Sequence, residues 1–88
     1  MPNIKQQEKR VRTAARERME NLRYRSTVKT LTRRLEAAVA DGDAPRIAEE
    51  HRALMRWLDR AAARGALHKN TAARKKASAS RLVSGSSS

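Results

Sequence analysis

Apolar residues recur at steps of three and four along most of this 88-residue chain, the pattern of helices that bury one face. Ile47, His51, Leu54, Leu58 and Ala61 alternate between steps of four and three, which makes a bundle seam. Tyr24, Val28, Leu31, Leu35 and Ala38 or Val39 form a matching seam upstream, and Ala72, Ala79, Leu82 and Val83 form a third one of mostly small side chains. Breakers are sparse: Pro2, Gly42, Pro45, Gly65 and Gly85. Between them Ala, Leu, Arg, Lys and Glu dominate, all strong helix formers. The pattern predicts three helices over about 5–40, 44–64 and 69–83, followed by a Ser-rich tail over 84–88 that reads as a flexible linker. Gly42 suits a left-handed step after the first helix, Asp43 suits the cap of the second, and Pro45 is tolerated in the first turn of that helix. Short connections make consecutive helices antiparallel. The expected architecture is therefore all-α, a single up-down-up three-helix bundle over residues 1–83.

The first helix is too long for that bundle. At about 100° per residue, the seam that starts at Tyr24 does not continue back through Asn21, Glu17 or Thr13, and Ile4, Val11, Ala15 and Leu22 fall on roughly the opposite side. A second helix of about 20 residues folding back from Gly42 reaches only to the level of residue 20 or so. Some 15 residues, about 22 Å at 1.5 Å each, should project as an arm.

Composition narrows the chemistry. Hydrophobic residues make up 39% of the chain, Phe is absent, and Tyr24 and Trp57 are the only aromatics, so the core must be thin and part of the order can come from a partner. No Cys is present, which excludes a disulfide staple and a thiolate metal site. Asp41 and Asp43 read as turn and cap rather than as metal ligands. No catalytic constellation, metal set, cofactor motif or small-molecule pocket is discernible, and no homo-oligomer is expected. No apolar run approaches the roughly 20 residues of a membrane span, and the segment from Met1 to Lys5 lacks a secretory apolar stretch. The chain reads as a soluble, cytoplasmic protein without a membrane partner.

Charge changes the picture most. Lys and Arg number 21 against nine acids, and the excess is segregated: net +7 over residues 1–40, −1 over 41–60 and +6 over 61–88. Such a field favours a polyanion, because each cation set on a phosphate releases a condensed counterion. Lys5, Lys9, Arg12, Arg16 and Arg23 fall within about 60° of one another on a helix. Arg10 and Arg18 flank that stripe, and Arg25, Lys29, Arg33 and Arg34 continue the charge around the helix. Like charges on one face repel, so the arm gains as a helix when phosphates neutralise it. The third helix opens with His68, Lys69, Asn70, Thr71, Ala72, Ala73, Arg74, Lys75 and Lys76, and its N-terminal amides offer a phosphate seat. In an up-down-up bundle that start is expected beside the base of the arm, which would make one surface of two distant basic runs.

These residues also resemble a known family. Asn3-Ile4-Lys5, the run Lys9 to Thr13, Arg25-Ser26-Thr27-Val28-Lys29-Thr30, the turn Asp41-Gly42-Asp43 and the segment from Gly65 to Lys76 together look like the bacterial small-subunit ribosomal protein S20 family, collinearly over residues 2–83. The resemblance implies a three-helix bundle that binds small-subunit ribosomal RNA directly, joins the ribosome particle early in assembly and stays as a structural component. By matching position it implies RNA contacts at Lys5, Lys9, Arg10, Arg12, Arg25, Ser26, Lys29, His68, Lys69, Asn70, Arg74 and Lys76. The stripe and the helix start add Arg16, Arg23, Thr71 and Lys75 to these. Gln6 stands where the family commonly has Ser, Glu20 where it commonly has Arg, and the Ser-rich end replaces a more hydrophobic terminus.

Two other classes fit the composition. A DNA-architectural protein would share the charge, and a membrane-surface amphipathic protein would share the basic first helix, although the arm has no bulky aromatic anchor. Among single residues, His51 is expected to pack on the seam, and His68 to contact RNA or cap its helix. Trp57 is expected to pack at the bundle edge, with base stacking the lesser alternative because no aromatic neighbours form a platform.

Overall fold

The structure, a computed structural model, describes the backbone over residues 4–86 and the side chains over residues 10–85. Three helices, α1 (Ile4–Asp41), α2 (Ala44–Ala63) and α3 (Lys69–Ser86), account for nearly all of it. The molecule measures 66 × 20 × 13 Å, because α1 has 38 residues and α2 only 20.

Both reversals are built the same way. Gly42 adopts φ 68°, its N–H donates to the Val39 carbonyl at 3.1 Å, and the Asp43 N–H donates to the Ala38 carbonyl at 3.3 Å. Gly65 adopts φ 77°, with its N–H on the Ala62 carbonyl and the Ala66 N–H on the Ala61 carbonyl at 2.8 Å. Each is a Schellman cap, in which a left-handed residue, cheap only for glycine, returns two donors to the last carbonyls of the helix. Asp43 then caps α2: its carboxylate accepts from the Arg46 N–H at 3.3 Å. Arg46 also reaches back to Asp41 at 3.1 Å, an exposed pair that adds little beyond pinning the turn.

The core follows the predicted seams. Val28, Leu31, Leu35 and Ala38 of α1 meet Ile47, Leu54, Leu58 and Ala61 of α2, and Ala72 and Ala79 of α3 are buried with them. Leu35, Leu54 and Leu58 are its largest fully buried side chains. Ala66 joins the core from the connection between α2 and α3, where the second cap turns it inward. No polar or charged residue of the described set is fully buried. His51 is half-buried on the seam, with an Nε2 atom shut off from solvent and lacking a hydrogen-bond partner among the described residues.

One boundary differs from expectation. The helix predicted to fade at Val83 runs through Ser86, so 84–86 belong to α3 rather than to a tail. Gly85 does not take the left-handed conformation that ends a helix at Gly42 and Gly65. A glycine stops a helix only when the chain adopts that φ. Residues 87 and 88 lie outside the described set.

Two substitutions test this packing. His51→Leu removes an unsatisfied polar atom from the seam while keeping its volume, and should raise the denaturation midpoint by about 1 kcal/mol equivalent. Leu58→Ala should lower stability by about 2–5 kcal/mol in a urea titration.

Candidate nucleic-acid interface

From residue 10 to residue 20 every side chain of α1 is exposed, because neither α2 nor α3 reaches that far. Val11 and Met19 within that stretch, and Leu22 just beyond it, are 69%, 65% and 60% exposed, which places the start of the bundle near Asn21 as the length argument requires. Lys5 and Lys9 are on the α1 backbone, but their side chains lie outside the described residues. Arg12, Arg16 and Arg23 continue the predicted stripe and are exposed. At 100° per residue that stripe stands about 130° around the helix from Arg18, Arg25, Lys29 and Arg33. The helix thus has two basic faces; Val11, Ala15 and Leu22 fall within the second of them, and Met19 lies between the two. Arg10 lies in line with Val28, on the core side of α1, yet is exposed because the core has ended.

The two faces meet different parts of the bundle. Arg23 leads into α2, where it lines a 260 Å³ cavity with Glu20, Tyr24, Trp57 and Arg64. Arg25, Lys29 and Arg33 lead to α3: they line a 480 Å³ cleft with Val28, Leu67 and Lys75. A second cleft of 370 Å³, which adds Arg74, Ser78 and Leu82, shares Thr32, Glu36 and Lys75 with the first. The two form one groove between α1 and α3, kept open by the small side chains of α3. Five cations line it, Arg25, Lys29, Arg33, Arg74 and Lys75, against a single carboxylate, Glu36.

This corrects the surface expected from the sequence. The start of α3 joins the Arg25–Lys29 face, not the five-residue stripe that runs from Lys5 to Arg23. The physical reason is handedness: α3 can lie on either side of the α1–α2 pair, and residue spacing along each helix is the same in both arrangements.

The start of α3 is held by two side chains. Arg25 donates from Nε to the Ala66 carbonyl at 3.0 Å, a bond spanning 41 positions that ties α1 to the connection before α3. His68 is the N-cap: its Nδ1 accepts from the Asn70 N–H at 3.1 Å, and its carbonyl accepts from the Ala72 N–H at 3.0 Å. The ring therefore takes one of the amides expected to seat a phosphate, and satisfies it in the free protein. Lys69, Asn70, Thr71, Arg74 and Lys75 are exposed around this end. No acid sits in the first turn, so Lys69 adds its charge to the positive end of the helix dipole, a repulsion that an anion relieves. Lys76 is turned the other way, half-buried and ion-paired with Asp59 of α2. Ser26 is exposed between the two faces, and its carbonyl accepts the Thr30 hydroxyl at 3.0 Å. Among the described residues no group of His and acidic side chains could hold a metal ion, and no helix is long and apolar enough to cross a membrane.

A highly basic helical bundle whose longest helix extends bare of its own core, over most of a turn-by-turn run of arginines, belongs to the class of small helical ribosomal proteins. The chain belongs to the ribosomal protein S20 family, whose model matches residues 2–84. It is 46% identical to the small ribosomal subunit protein bS20 of Kocuria rhizophila over 83 residues, covering 94% of this chain and 96% of that one. The bS20 proteins of Mycobacterium sp. (strain JLS) and Heliobacterium modesticaldum are each 45% identical, over 91% and 86% of this chain and 93% and 86% of their own. The family is one of structural proteins, not enzymes.

Removing Arg25 tests the tether. Arg25→Ala should destabilise the fold by about 1–2 kcal/mol, the loss of a charge-assisted bond to a buried-side carbonyl, and should speed amide exchange at residues 65–68 more than at the centre of α2. Equal acceleration everywhere would show that the bond does not hold that connection in particular.

Proposed function

We propose that the chain binds small-subunit ribosomal RNA directly in the cytoplasmic ribosome, and that it aids early folding and assembly of the small subunit by neutralising and bridging phosphates. The observation that supports this most is the pair of basic faces about 130° apart on one continuous helix. A single phosphate backbone cannot follow both faces, whereas two RNA segments can each take one.

On the first face Lys5, Lys9, Arg12, Arg16 and Arg23 engage one segment; on the second Arg25, Lys29, Lys69, Arg74 and Lys75 engage another, with Arg10, Ser26, His68, Asn70 and Thr71 as neighbouring contacts. Lys76 contributes less, since its ammonium already serves Asp59. Phosphate contacts supply most of the affinity, and the angle between the faces selects RNA of the right shape. No cofactor, small-molecule substrate or second copy of the chain enters this mechanism.

Lys69→Ala and Arg12→Ala should each reduce the slope of log K against log salt by about 0.9, the value of one phosphate contact, while Lys76→Ala should change it less. Unchanged slopes for the first two would remove both faces from the interface. Duplex DNA competing as well as small-subunit ribosomal RNA would overturn the ribosomal reading in favour of a DNA-architectural one.

A further inference from the structure

We propose that the cavity between α1 and α2 is a seat for one unstacked guanine of the bound RNA. This rests on the RNA-binding reading above and adds a base-specific site to it. Trp57 was expected to lack an aromatic neighbour, but the fold brings Tyr24 of α1 to it, with ring centroids 5.5 Å apart and planes inclined at 57°. At that distance and angle the two rings pack edge to face on each other, and an extruded base would stack on the ring surface left facing the cavity. Both rings line the 260 Å³ cavity, which is smaller than the roughly 300–1,000 Å³ of sites for drug-sized ligands and suits a single ring system. The Arg60 guanidinium lies 5.4 Å from the Trp57 ring centroid and holds the indole from α2.

The remaining lining explains which base. Arg23 and Arg64 offer charge to the phosphates on either side of an extruded nucleotide, and Glu20 is the one carboxylate among them. A carboxylate on a phosphate-binding face opposes binding unless it meets donors. Guanine is the only standard base whose Watson–Crick edge presents two adjacent donors, N1–H and the N2 amino group, which match the two oxygens of Glu20. Adenine and cytosine present one donor beside an acceptor, and uracil one donor between two acceptors. Glu20, which stands where the family resemblance leads to arginine, thus acquires a use that repulsion alone denies it.

The test uses the full chain and an RNA hairpin bearing one bulged guanosine, compared with the same hairpin bulged at adenosine, cytidine or uridine, or unbulged. Trp57 is the only tryptophan, so its fluorescence reports the cavity directly. The guanosine bulge should bind about tenfold tighter than the others and quench Trp57. Glu20→Gln should abolish the preference for guanosine, and Trp57→Leu, which keeps an apolar side chain against α1, should bring the bulged hairpins to the affinity of the unbulged one. Equal affinities with unchanged fluorescence would overturn the seat while leaving RNA binding intact. Equal quenching by all four bases would overturn the guanine assignment, and failure of every hairpin to bind would overturn the RNA reading along with it.

Discussion

Gly42 holds a φ of 68° at the end of α1, and that left-handed step turns the chain so that α2 runs back along the face α1 has just presented. The position of the turn sets the rest of the molecule. Counted back from it, the 20 residues of α2 cover α1 only to about Asn21, and Gly65 falls at the level where the arm begins. The start of α3 is therefore delivered to the base of the arm, where Arg25 fastens it through the Ala66 carbonyl. A turn several residues earlier would leave less core, and one several residues later would bury the arm.

The same geometry reconciles a thin core with a strong field. The buried residues are aliphatic and alanine, and among the described residues His51 brings the one unsatisfied buried polar side-chain atom to the seam. The charge is then left on the outside, and most cations of α1 and of the first half of α3 are shared out between two faces. Asp59 and Glu36 are placed within that field rather than remote from it: the first draws Lys76 toward α2, and the second stands alone in the groove between α1 and α3.

Much of this is legible from residue spacing. The alternation of fours and threes gives the core positions almost one for one, Gly42, Asp43 and Gly65 act as their types suggest, and the arm follows from counting residues in two antiparallel helices. What spacing does not contain is the third dimension. It leaves open which side of α1 receives α3, so Arg25 and Lys29 rather than Arg16 and Arg23 turn out to border the His68 end. It does not show that Tyr24 and Trp57, 33 positions apart, become neighbours. Nor does it separate a glycine that ends a helix from one that stays within it, since Gly65 and Gly85 differ only in the φ each adopts.

The covered and bare halves of α1 are one uninterrupted helix, with neither proline nor glycine between Ile4 and Asp41 to serve as a joint. Mechanically the arm is a lever whose fulcrum is the bundle. Over its roughly 25 Å, a tilt of about 10° at the base displaces the tip by about 4 Å, about three-quarters of a helical turn. Small errors in how the bundle is seated become large errors at the far end, so correct placement of the base and capture of the tip are mechanically a single event.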